Sequence, residues 1–167
     1  MQISKPIVLV GPMGVGKTTI GRKLANALGL PFVDTDAVFV KTHGDISKFF
    51  AEHSEAEFRS IEEQIVFEQL SSPAVVATGG GAVLSELTRS RLGNTVVVYL
   101  STDGTHMAKR LSQGSRPLLT GGMDDWHRIY EERKPIYEQI CNFEVDCSGQ
   151  PIKQSVADIV AGLETND

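Results

Sequence analysis

The sequence predicts an α/β fold, a parallel β-sheet with helices packed on both faces. Three features predict it. Short continuous apolar runs, such as Ile7-Val8-Leu9-Val10 and Val96-Val97-Val98-Tyr99-Leu100, suit strands buried on both sides. Longer segments between them carry apolar residues at helical spacing. Strand and helix alternate along most of the chain, as parallel pairing requires, because each connection must cross the sheet. At 167 residues, the chain 1–167 reads as a single domain. A chain of this size buries roughly 70% of its unfolded surface, enough core to need no disulfide or structural metal.

The elements follow in order. Ile7 to Val10 is the first strand and ends at Gly11. Lys17 to Leu28 is a helix with Ile20, Leu24 and Leu28 on one face and Gly29 as its stop. Phe32-Val33 is the second strand. Asp45 caps a short helix carrying Ile46, Phe49 and Phe50. Ser54 with Glu57 is a capping-box pattern for the next helix, whose apolar side holds Phe58, Ile61, Ile65 and Leu70. Ala74 to Ala77 is the third strand and Val96 to Leu100 the fourth. Phe143 to Cys147 alternates, as a strand nearer an edge does. Ile152, Val156, Ile159, Val160 and Leu163 mark the last helix. The stretch 112–124, with Gly114, Pro117, Gly121 and Gly122, has little helical pattern and reads as a long functional loop.

Composition narrows the function. Apolar residues are 41% and charged residues 22%, near the globular average, which excludes a wholly disordered chain. No apolar run approaches the ~18 residues of a membrane span, and Met1 to Ile7 has no signal-peptide core. The expectation is a cytoplasmic protein with no membrane partner. Sixteen basic residues against 21 acidic ones, a net charge of −5, argue against a nucleic-acid surface. Cys141 and Cys147 lack metal-ligand spacing and read as buried thiols.

The strongest motif is Gly11-Pro12-Met13-Gly14-Val15-Gly16-Lys17-Thr18, which matches the phosphate-loop pattern G-x-x-x-x-G-K-[ST]. It follows a strand and opens a helix, the context the motif needs. Its glycines let backbone N–H groups turn inward around phosphate oxygens, and the helix N-terminus adds its positive end. Lys17 can reach the β- and γ-phosphates, and the Thr18 hydroxyl can ligate Mg²⁺. Asp34 and Asp36 stand at the end of the second strand, where open α/β sheets bind ligands. One carboxylate can hold the metal and the other a substrate hydroxyl; a helix cap or Asx turn explains one of them equally well. Gly79-Gly80-Gly81 suits close approach of backbone to ligand or a loose turn. Arg59, Arg116 and Arg133 each offer a bidentate fork for carboxylate or phosphate.

Together these motifs resemble the shikimate kinase family, within the nucleoside-monophosphate-kinase-like P-loop group. The matching residues are Gly11 to Thr19, Asp34-Thr35-Asp36, Phe58-Arg59, Gly79-Gly80-Gly81, Arg116-Pro117-Leu118-Leu119 and Arg133-Lys134-Pro135-Ile136-Tyr137, in the family's order and across nearly the whole chain. The resemblance implies a P-loop three-layer sandwich with a five-stranded parallel sheet, a small substrate-binding subdomain at 35–61 and a mobile lid at 112–124. It implies ATP-dependent phosphorylation of the shikimate 3-hydroxyl, in aromatic amino-acid synthesis, with Mg²⁺ as cofactor. ATP and shikimate are the expected partners of a monomer. By the same resemblance, Gly14, Val15, Gly16, Lys17, Thr18 and Thr19 hold the ATP phosphates, Thr18 and Asp34 hold Mg²⁺, and Arg110 and Pro151 flank the adenine. Asp36, Arg59, Gly80, Gly81 and Arg133 bind shikimate, and Lys17, Asp36 and Arg116 carry the transfer. Two departures stand out: Ser60 follows Phe58-Arg59 where the family often has an acid, with Glu62 two places on, and Ser148 to Pro151 lacks an arginine common at the adenine. A gluconate-kinase-like enzyme would keep the phosphate loop without needing Arg59 with Arg133. A non-catalytic nucleotide-binding module would be marked by loss of Lys17, Asp36 or Arg133, and all three are present.

Overall fold

The computed structural model describes residues 1–112 and 121–166. Its strands are β1 (Ile7–Val10), β2 (Phe32–Asp34), β3 (Val75–Ala77), β4 (Val96–Ser101) and β5 (Phe143–Asp146). They pair in parallel in the order β2-β3-β1-β4-β5. β1 is central, with Ile7 opposite both Val75 and Val96. All four of its residues are fully buried, which is why its run is continuously apolar. β5 is at an edge and buries Val145 while exposing Glu144 and Asp146.

The helices are α1 (Lys17–Leu28), α2 (Thr35–His43), α3 (Ile46–Glu52), α4 (Glu55–Glu68), α5 (Glu86–Arg91), α6 (Met107–Leu111), α7 (Met123–Ile140) and α8 (Ile152–Thr165). α1 and α8 cover one face of the sheet, packing Ile20, Leu24, Ile159 and Leu163 on Ile7, Leu9, Val98 and Leu100. α7 covers the other, with Trp126, Tyr130 and Tyr137 against Val8, Val10, Val97 and Tyr99. α2, α3 and α4 enclose a separate aromatic cluster of Phe39, Phe49, Phe58 and Ile65. The caps expected at Asp45 and Ser54 form, at 3.0 Å to the Lys48 N–H and 3.2 Å to the Glu57 N–H. The Glu57 carboxylate turns instead to His53, 2.7 Å away, so only half of the capping box exists.

Three features differ from the sequence pattern. β2 stops at Asp34, whose carboxylate accepts the N–H groups of Asp36 and Ala37 and starts α2, so strand alternation does not carry on to Asp36. α7 runs through a segment that the pattern leaves unassigned. Its buried positions 126, 130, 133 and 137 follow helical spacing, but they include an arginine and are masked by charged neighbours and by Pro135 on the exposed side. The expected loop 112–124 is shorter at its end, because Met123 and Asp124 are already helical; its residues 113–120, Arg116 among them, lie outside the described residues. Among the described residues no helix is long and apolar enough to cross a membrane.

Candidate active site

A cleft of about 510 Å³ opens at the carboxyl ends of β1, β2 and β3. Residues 13–19, Asp34, Asp36, Thr78, Gly79, Gly80 and Arg110 line it. The loop after β1 turns through Gly14 (φ 80°) and Gly16 (φ 112°), conformations that L side chains rarely adopt. Gly16 thereby becomes the N-cap of α1, whose first turn carries no acidic residue to offset the positive end of the helix. Lys17 is buried to 9% exposure and donates from Nζ to the carbonyls of Gly11 (2.6 Å) and Pro12 (2.8 Å). Its charge is thus held over the loop, where phosphate oxygens would lie.

At the foot of the loop the Thr18 hydroxyl donates to Asp34 Oδ2 at 2.6 Å. Asp34 uses its other oxygen to cap α2, at 2.9 Å to the Asp36 N–H and 3.3 Å to the Ala37 N–H. The metal reading and the cap reading of this aspartate are therefore compatible, one oxygen serving each. Two side chains from outside the loop bond to its carbonyls. Trp126 donates its indole N–H to the Met13 carbonyl at 2.9 Å, and Arg110 donates to the carbonyls of Gly14 (3.0 Å) and Val15 (3.2 Å); of these only Arg110 was expected. Ile152 lines the cleft, and its neighbour Pro151 precedes α8 as N-cap.

The other end of the site is built on Gly79-Gly80-Gly81, which follows β3 through Thr78. A Cβ on Gly79 would stand 2.8 Å from Glu62 Oε2 and 3.0 Å from Asp36 Oδ1, and one on Gly81 would overlap the Arg59 guanidinium. These two glycines are required by side chains of the site itself. Arg59, on α4, pairs with Glu62 at 2.8 Å and with the more exposed Glu55 at 3.3 Å. Glu62 is 4% exposed, and burial pushes its carboxyl above the ordinary range despite the opposing pull of Arg59. Glu62 Oε2 and Arg59 Nε are buried without hydrogen-bond partners in the protein. Arg133, on α7, is 7% exposed, and burial, with the charge of Arg59, pushes it below the usual arginine range while Tyr137 opposes the shift. Its Nη1 would lie 3.5 Å from a Cβ on Gly80.

The structure therefore brings Gly14, Val15, Gly16, Lys17, Thr18, Thr19, Asp34, Asp36, Gly80 and Arg110 to one cleft. Arg59, Gly81 and Arg133 gather beside it. Glu62 and Trp126 are among the residues that sequence reading did not place there, as are Thr78 and Ile152. Glu62 had a signal, its i, i+3 spacing from Arg59; Trp126 had only its place at the start of an unrecognised helix.

The sequence model of a family described as shikimate kinase matches residues 13–164. A shikimate kinase of Corynebacterium diphtheriae is 37% identical over 163 residues, covering 95% of this chain and 94% of that one. One of Thermobifida fusca is 40% identical over 163 residues, with the same coverage of 95% and 94%. The solved structure of a shikimate kinase from Acinetobacter baumannii in complex with shikimate superposes with a TM-score of 0.91 at 31% identity, covering 98% of this chain and 94% of that one.

Proposed function

The chain belongs to the shikimate kinase family, and from that membership we propose that it transfers the γ-phosphoryl group of ATP to the 3-hydroxyl of shikimate. The observation that carries this reading is the meeting of two unlike ends. A phosphate cradle lies at the N-terminus of α1, and the buried Arg133 and the partly buried Arg59 stand against the glycine run after β3. Asp36 borders both: it lines the phosphate cleft and lies against Gly79. Two guanidiniums gathered beside one glycine run, Arg133 buried and Arg59 partly buried and paired with Glu62, favour an added anion, and a planar carboxylate fits their forks. A gluconate-kinase-like enzyme has no need of this pair.

In this reading Lys17 and the amides of Gly14, Val15, Gly16, Thr18 and Thr19 hold the phosphates. The converging oxygens of Thr18 and Asp34 fit Mg²⁺, a hard ion that takes few protein ligands beside phosphates and water. Bound there, the ion supplies charge neutralisation on the β- and γ-phosphate oxygens. Asp36 orients the acceptor hydroxyl and accepts its proton as oxygen bonds to phosphorus. Arg59, Arg133, Gly80 and Gly81 hold shikimate, within a substrate subdomain at 35–61. Arg110 and Pro151 flank the base. Arg116 neutralises charge on the transferring phosphoryl group when a lid at 112–124 closes, excluding water as a competing acceptor. The chain works as one kinase domain, a monomer of the cytoplasm.

Coupled ADP release tests the reading, with shikimate, quinate, gluconate or no acceptor added. Rapid release with shikimate alone is expected. Faster turnover of gluconate would favour the sugar-acid reading, and binding of nucleotide and shikimate without turnover would favour a non-catalytic module.

A further inference from the structure

Tyr137 has none of the roles above, yet its hydroxyl sits where the acceptor end is built. The side chain is 1% exposed. Its hydroxyl donates to the Gly80 carbonyl. Arg133, one helical turn earlier on α7, lines the same small cavity as Tyr137, and its Nη1 would stand 3.5 Å from a Cβ on Gly80. The i, i+4 spacing puts both side chains on one face of the helix. Tyr137 and Arg133 thus converge on the Gly80 peptide, the phenol through its O–H bond to the carbonyl and the guanidinium standing beside it. We infer that Tyr137 is a positioning residue for the acceptor, holding the Arg133 fork and the Gly80 peptide at the spacing at which both meet shikimate. This rests on reading the chain as a shikimate kinase.

The physical case has three parts. A guanidinium with an unfixed plane must be ordered when substrate binds, and fixing it beforehand removes that cost from the binding step. The neighbouring guanidinium charge polarises the phenol, so its bond to Gly80 strengthens. Without the hydroxyl, the buried Gly80 carbonyl loses its donor and Arg133 loses a polar neighbour, and both lie at the acceptor end. Two further phenols give an internal comparison. Tyr99 stacks on Tyr137 with ring centroids 5.3 Å apart, and Tyr130 shares α7 with it. The hydroxyls of Tyr99 and Tyr130 bond to each other, and Tyr130 accepts from the Thr102 N–H, away from Gly80 and Arg133.

The test is Tyr137→Phe beside Tyr130→Phe, with steady-state kinetics in both substrates and a thermal melt of each. Tyr137→Phe should raise the KM for shikimate about tenfold, with the KM for ATP within twofold and kcat lowered less than KM is raised. Tyr130→Phe should lower Tm and leave both KM values near wild type. In an Arg133→Lys background the effect of Tyr137→Phe should shrink, because the two act on the same Gly80 peptide. In the unsubstituted protein, shikimate but not ADP should shift the Tyr137 ring resonances and leave those of Tyr130 in place. This last measurement decides the matter if Tyr137→Phe fails to fold. A folded Tyr137→Phe with unchanged shikimate KM, equal rises in both KM values, or a Tyr137 resonance indifferent to shikimate would each overturn the inference. If wild type itself shows no shikimate-dependent ADP release, the functional reading fails instead.

Discussion

Glu62 lies one turn beyond Arg59 on α4, a spacing that on an exposed helix makes a weak surface pair. Here the carboxylate is buried, one oxygen on Arg59 and the other against Gly79. Burial raises its pKa above the ordinary 4.5, the attraction of Arg59 opposing but not cancelling the shift. The folded chain therefore holds this proton more tightly than the unfolded chain does. The stability it contributes is complete below pH 4.5 and is lost as pH rises through the raised value. Glu62→Gln removes the titration. The Tm of the variant minus that of wild type should rise with pH above 4.5 and level off once Glu62 ionises. Thermal melts in a pH series measure this, and a flat or falling difference would contradict it. Arg59 was legible from its motif, but the partnership of Glu62 was not, since burial is settled by segments distant in sequence. The glycine run was legible as room for a ligand. At Gly79 and Gly81 that room is filled by Glu62, Asp36 and Arg59, which no local pattern reveals.

α7 carries both ends of the site on one face. Trp126 reaches the phosphate loop at Met13, and Arg133 and Tyr137 reach Gly80. Trp126→Phe keeps an aromatic ring but removes the indole N–H, leaving the Met13 carbonyl without that donor. A lost hydrogen bond of this kind contributes about 1 kcal/mol, so the KM for ATP should rise about fivefold while the KM for shikimate stays near wild type. Initial rates in both substrates check this; a change confined to shikimate would contradict it. The strands and α1 and α8 were legible because burial on two faces, or on one helical stripe, writes itself as apolar runs or spacing. α7 was not, because its inner face includes Arg133 and the hydroxyl-bearing Tyr130 and Tyr137, polar groups whose burial depends on one another and on the site. α2 was hidden for a related reason, its start being a cap supplied by Asp34.

The sheet order sets three adjacent strands, β2, β3 and β1, so that their carboxyl ends deliver Asp34 and Asp36, the glycine run and the phosphate loop to one place. Alternation of elements predicted parallel strands and the family resemblance implied five of them, but their order came only with the structure, because no local pattern says which strands are neighbours. The core of the sheet is built mainly from apolar residues on its two faces, and Lys17 is not among them. Lys17→Met should therefore leave the circular dichroism spectrum and the cooperative melt intact while removing nearly all turnover. Near-normal kcat in that variant would end the phosphate-loop assignment. The central claim concerns which oxygen receives the phosphoryl group, and the product answers it most directly. Phosphorus and proton NMR of a reaction with ATP, Mg²⁺ and shikimate should show one new phosphomonoester coupled to the proton on carbon 3, formed in step with ADP. Inorganic phosphate alone, or phosphate on another hydroxyl, would contradict the account.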